Sequence, residues 1–333
     1  MRRKPTPMAV VAMVAVLVLA GFAVADARGT SDVSKARSSL TLMAPAAAGG
    51  GWDLVARESQ QALRKNGLVN TVQVVNVPGA GGTIGLSQLT RMEGSPNIMM
   101  VTGTVMLGGI ARGGDQVSLA DTTPIARLAE DFEVIAVSAD SRFTTLQEFL
   151  DAWKADPSSL PIGGGSAGGV DHLVAGQLAR AVGVPPSELQ YTPHSGGGEL
   201  TISLLSTAAG TVEVGISGFN DFRDMIESGR LRALAVVAPV RLEGVDVPTM
   251  AELGYPEVDL INWRGLVGAP RLSDQQRAEL VDIVTEMVAT QEWQATIDRN
   301  RWRESYLVGE EFTAFVASEQ TAISELLKEL GLV

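Results

Sequence analysis

Short apolar runs alternate along this chain with longer stretches in which apolar residues recur every three or four positions. Runs at 40–44, 71–75, 98–101, 132–138, 189–192, 212–217 and 231–238 are rich in Val, Ile and Leu and too short for helices, so they predict strands. Helical spacing at 53–65, 82–91, 145–154, 170–182, 198–206 and 219–227 predicts helices, some stopping at a glycine. Residues 102–104 read as a turn. A strand near 266–269 and helices beginning at Ser273, Gln291 and Glu310 complete the series. Such alternation is the mark of an α/β chain.

Residues 137–236 carry their own strand–turn–helix series, bracketed by the strand-like segments 132–138 and 231–238. The pattern predicts two lobes joined by two hinge crossings: 40–136 plus 237–333 as the first and 137–236 as the second. The C-terminal helices pack back on the first lobe, and a cleft lies between the two. Ligands of open α/β sheets bind at the carboxyl ends of strands.

Four glycine-rich turns fall at such ends: Gly49-Gly50-Gly51-Trp52-Asp53, Gly79-Ala80-Gly81-Gly82-Thr83, Gly163 through Gly169, and Ser195-Gly196-Gly197-Gly198. Glycine lets backbone N–H groups approach a ligand closely. A helix starting directly afterwards adds unpaired N–H donors and the positive end of its dipole. Four such turns predict a pocket that holds an anion with backbone dipoles. Ser166, Ser195 and Ser217 are the hydroxyl donors expected around it, Thr104 faces the cleft and Trp52 forms a wall. Asp53 is read evenly as a helix-start acid or a ligand contact. Trp263 is read as core or hinge packing, and Arg57 and Arg264 as surface ion pairs in preference to partners of a carboxylate.

Composition narrows the partners. Arg2, Arg3 and Lys4 precede an apolar stretch over 8–25 that closes with Ala23-Val24-Ala25, the form of a secretory signal peptide (1–25) cleaved after Ala25. The competing reading is an uncleaved anchor. Residues 26–39 are polar and read as a tether. The chain has no cysteine, so its exported form relies on its core and carries no lipid at a cysteine. A net charge of −12 argues against nucleic acid and anionic membrane surfaces. Any anion must then be captured locally, against the overall field.

Other chemistries fit less well. No glycine run is followed by Lys-Ser or Lys-Thr, and no dinucleotide fingerprint is complete. Two histidines and no cysteine make a weak metal site. Gly164-Gly165-Ser166-Ala167-Gly168 fits the bare Gly-x-Ser-x-Gly spacing, but His172 stands six residues on, inside the next helix. A secreted serine-type hydrolase of a small ester stays open as the minority alternative, as does a ligand-sensing scaffold for a membrane partner.

In this order and spacing, the turns and the segments 229–236 and 248–254 resemble the substrate-binding receptors of tripartite tricarboxylate transporters, the TctC or Bug family. The resemblance runs from Leu40 to Val333. It implies a periplasmic binding-protein-like fold of type II, two lobes closing on a small carboxylate, without catalysis or cofactor. The turns matching Gly50, Gly51, Trp52 and Asp53, and Gly165, Ser166, Ala167, Gly168 and His172, are then the carboxylate-holding loops, one per lobe, joined by Gly81, Thr104, Ser195, Gly196 and Ser217. Trp52 is similar to the tricarboxylate branch, which points to a citrate-like di- or tricarboxylate. The implied partner is a membrane permease with one large and one small subunit, served by a periplasmic monomer.

Overall fold

The computed structural model describes residues 35–113, 117–206, 208 and 211–333. The signal peptide, its cleavage point and most of the tether lie outside the described residues. The chain begins β1 (Ser39–Ala44), α1 (Gly51–Lys65), β2 (Thr71–Asn76), α2 (Thr83–Leu89), β3 (Ile98–Gly103), α3 (Thr104–Gly113) and β4 (Thr123–Asp131). It continues with β5 (Glu133–Ser138), α4 (Leu146–Ala155), β6 (Ile162–Gly164), α5 (Val170–Val182), β7 (Tyr191–Pro193), α6 (Gly197–Leu205), β8 (Val214–Gly218), α7 (Phe219–Glu227) and β9 (Leu231–Val237). It ends with β10 (Asn262–Gly268), α8 (Asp274–Val288), α9 (Gln291–Asn300), β11 (Arg303–Val308) and α10 (Gly309–Glu329).

Two mixed sheets result, in the orders β11-β4-β10-β3-β1-β2 and β7-β6-β8-β5-β9. Position in the sheet explains the strand patterns. Central β3 and β10 are buried at every residue because helices cover both faces. Edge strand β2 alternates instead between buried Val72 and exposed Thr71 and Gln73. The segments read as crossings are β5 and β9. They pair antiparallel inside the second sheet. The chain leaves the first sheet at Phe132, a single residue between β4 and β5, and returns along 238–261. The sheets therefore divide earlier than residue 137.

Trp263 of β10 anchors the C-terminal helix to the first sheet. Its ring meets Phe312 and Phe315 edge-on at 6.0 and 5.4 Å, as core packing predicts. Phe312, Val316, Ile323 and Leu327 of α10 join the core of the first sheet. Residues 102–104 are not a turn: β3 runs to Gly103 and α3 starts at Thr104 without a break.

Candidate functional site

Glycines stand at the N-caps of α1, α2, α5, α6 and α7: Gly50, Gly82, Gly169, Gly196 and Gly218. None receives a side-chain cap. All five line one cavity of about 370 Å³ between the two sheets, within the size range of small-molecule sites. Elsewhere α4, α8 and α9 are capped in the ordinary way by Thr145, Ser273 and Thr290. Helices α1, α5 and α6 thus open on the cavity with no side chain over their first N–H groups and dipole ends, while α4, α8 and α9 satisfy theirs internally.

Four of the five loops, all but the one before α2, are braced from behind by an acid in the following helix. Asp53 Oδ2 accepts from Gly49 N at 2.8 Å, and Asp171 Oδ2 accepts from Gly165 N at 2.5 Å. Glu199 Oε2 accepts from Ser195 N at 2.7 Å, and Asp221 Oδ2 accepts from Ser217 Oγ at 2.8 Å. Burial opposes the charge on Asp53, but hydrogen bonds from Arg57, Gly49 and Asn76 outweigh it and hold that carboxyl below its ordinary range.

Of the residues expected at the site, Gly50, Gly51, Trp52, Gly81, Gly165, Ser166, Ser195, Gly196 and Ser217 line the cavity. Trp52 is a wall, buried against Gly82, where a Cβ would stand 2.6 Å from its ring. The Ser166 hydroxyl takes no hydrogen bond from the described residues. Ser195 and Ser217 are not the free hydroxyl donors expected, because their hydrogens go to Glu199 at 2.5 Å and Asp221 at 2.8 Å.

The other expected residues lie outside the cavity. Asp53 is the brace of its loop and faces Arg57 and Asn76. Thr104 Oγ1 donates to Ile261 O at 2.9 Å and accepts from Trp263 N at 3.2 Å, which staples α3 to β10. The Ala167 carbonyl accepts from Arg112, and Gly168 packs on Gly108 of α3, so these two join the lobes beside the cavity. His172 Nδ1 accepts from Gly168 N at 3.0 Å, and its ring stacks on Tyr191 at 4.0 Å. Burial, reinforced by Arg112, lowers its pKa to about 4, as an acceptor nitrogen requires.

Sequence reasoning missed the inner wall, formed by Glu133, Asp171, Asp221, Asn262 and Arg264. Arg264 is no surface pair. It is buried, its Nη2 donates to Asp131 Oδ2 at 2.7 Å, and its Nη1 lies 2.9 Å from where a Cβ on Gly51 would be. Asn262 Nδ2 donates to Glu133 Oε1 at 2.9 Å. Burial, then the charges of Asp171 and Asp131, push Glu133 well above the carboxylate range. Burial likewise raises Asp171 to about 6. Burial and these neighbours thus favour the neutral form of Glu133, whose Oε2 faces Asp171. The acids spaced four residues after Gly49, Ser195 and Ser217 were the available signal.

Comparison with known proteins agrees with this architecture. The chain is 28% identical over 265 residues to a UPF0065 protein from the tcbD-tcbE intergenic region of Pseudomonas sp. strain P51, covering 76% of this chain and 77% of that one. The structure of a TctC solute-binding protein from Polaromonas is 27% identical, with a TM-score of 0.64 over 88% of this chain and 98% of that one. MatC of Rhodopseudomonas palustris, solved with bound malate, shares the fold at 22% identity, with a TM-score of 0.73 over 88% of this chain and 99% of that one. The family model of the tripartite tricarboxylate transporter family receptor, TctC, matches residues 55–332, and the chain belongs to that family of solute-binding receptors.

Proposed function

We propose that this protein is an extracytoplasmic receptor that captures a small carboxylate between its lobes and hands it to a membrane permease. The observation that carries this reading is the convergence of uncapped, glycine-started helices on one cavity. Backbone N–H groups at helix starts bind carboxylates without any cationic side chain. Here they are joined by the free hydroxyl of Ser166 and by Arg264. The malate held by MatC is a ligand of the expected size and chemistry.

Di- and tricarboxylates are the class to which the sequence pointed. The partner in this reading is a permease with one large and one small subunit, and the receptor acts as a periplasmic monomer without catalysis. Closure is a hinge motion through Phe132 and the return segment 238–261, shifting a pre-existing open–closed balance. Against hydrolysis, His172 Nδ1 is held by Gly168 N, and His194 Nδ1 sits 3.2 Å from Gly164 O. Neither histidine lines the main cavity; His194 and Ser166 border a neighbouring pocket, where His194 Nδ1 faces the Gly164 carbonyl rather than the hydroxyl.

A thermal-shift panel of citrate, succinate, malate, glutamate and terephthalate tests the reading. A ligand at a hundred times its Kd stabilises the protein by about 2.7 kcal/mol, so a binder raises Tm plainly. A panel without any shift, together with turnover of a small ester, contradicts it.

A further inference from the structure

The inner wall of the cavity offers far more hydrogen-bond acceptors than a polycarboxylate can use. Asp221 is ringed by protein and yet solvent-accessible, so its open face looks into the cavity. It already holds the hydrogen of Ser217, and Gly197 lies directly against it, leaving no room for another donor on that side. Asp171 is the second carboxylate on this wall; Gly165 N donates to it, and the Glu133 carboxyl is hydrogen-bonded against it.

A third group points to a ligand independently of the acids. Asn262 is 4% exposed and lines the cavity, and its Oδ1 finds no donor among the described residues. Its amide orientation is set by Nδ2, which donates to Glu133 Oε1 at 2.9 Å. A buried acceptor left unmade costs about 1–3 kcal/mol, so an arriving donor is favoured there. Arg264, the cation of this wall, turns Nη2 to Asp131 and leaves Nε without a partner. One face of the wall thus asks for N–H donors while Arg264 and the helix starts ask for an anion.

We propose that Asp221, Asp171 and Asn262 Oδ1 form a cation subsite for a protonated amine, so that the ligand is a small zwitterion whose carboxylate lies toward Arg264 and the helix starts. This deepens the carboxylate-receptor reading and rests on it. A citrate-like ligand would bring its further negative charges against Asp221 and Asp171, where like charges repel.

Isothermal titration with pairs that differ by one amine decides the matter: 4-aminobutyrate against butyrate, and glutamate against glutarate. The amine-bearing member should bind roughly tenfold tighter or better, as expected for a charge-assisted contact. Asp221→Asn should reduce that ratio to about threefold or less while leaving the Kd of glutarate unchanged or improved. Asp221 is accessible, so this variant should melt near the wild-type temperature; Gly197→Ala, whose Cβ would stand 2.5 Å from Asp221 Oδ2, should lower the ratio by displacing the same carboxylate. Glutarate binding as tightly as glutamate, or a ratio untouched by Asp221→Asn, overturns the subsite and leaves the receptor reading standing. No binding by either member of either pair, with citrate, succinate or malate still binding, overturns the subsite alone; no binding by any of these carboxylates overturns both.

Discussion

Arg264 on β10 and Asp131 at the end of β4 form an ion pair of 2.7 Å, with side chains 8% and 5% exposed, beside the single residue that joins the two sheets. Two residues before Arg264, Asn262 of the same β10 reaches Glu133, the first residue of β5 in the second sheet. The crossing is thus pinned on both sides of Phe132 by one strand that also walls the cavity. The cavity wall and the joint between the two sheets share these side chains, so in the proposed reading a bound ligand acts directly on the crossing.

Arg264→Ala should leave Asp131 buried and unpaired, a change that costs about 3–5 kcal/mol in comparable pairs. Urea unfolding checks the loss. Arg264→Lys keeps a charge but not the fork of the guanidinium, so it should recover part of the stability and little of the affinity. Equal stability of wild type and Arg264→Ala would show that the pair does not hold the joint.

Gly51→Val places a branched side chain where Arg264 now lies close to the helix start. Carboxylate affinity should fall below detection in titration calorimetry. Ser166→Ala removes one neutral hydroxyl from the cavity and should weaken binding by about 0.5–1.5 kcal/mol, or roughly twofold to tenfold. If Ser166→Ala abolishes binding instead, the hydroxyl rather than the backbone holds the ligand.

His172 and Asp171 oppose each other in pH dependence. His172 is depressed from 6.5 to about 4, so its contribution to stability is full above pH 6.5 and is lost as pH falls toward 4. Asp171 is raised from 3.8 to about 6, so its contribution is full below pH 3.8 and is lost as pH rises through 6. His172→Gln should give a Tm that declines as pH rises from 4 to 6. Asp171→Asn should give one that declines as pH falls from 6.5. Parallel Tm curves for the two variants would contradict this assignment.

Much of the α/β frame was legible in the sequence. Residues 170–182 and 219–227 were read as helices to the residue, because apolar spacing, glycine boundaries and first-turn acids agree there. β4 was not read, because Pro124, Arg127, Glu130 and Asp131 look like surface loop. Their partners, Arg303 and Arg264, stand more than a hundred residues away. Helix α3 was not read, its first residue Thr104 being placed in a turn over 102–104, because Gly108 and Gly109 weaken its propensity, although Gly108 allows Gly168 to approach. The loops of the candidate site were legible for the same local reasons as the helices. The acidic inner wall was not, since it is assembled by the pairing of β10 with β4 and by the side-chain contact from Asn262 of β10 to Glu133 of β5.

Amide resonances report most directly on whether free peptide N–H groups at the helix starts hold the ligand. In a nitrogen-15 amide spectrum titrated with glutamate or glutarate, Gly51, Trp52, Ser166, Val170 and Gly197 should shift together and saturate with one affinity. Saturable binding that leaves these five signals in place, with shifts confined to the outer surface, would contradict the account.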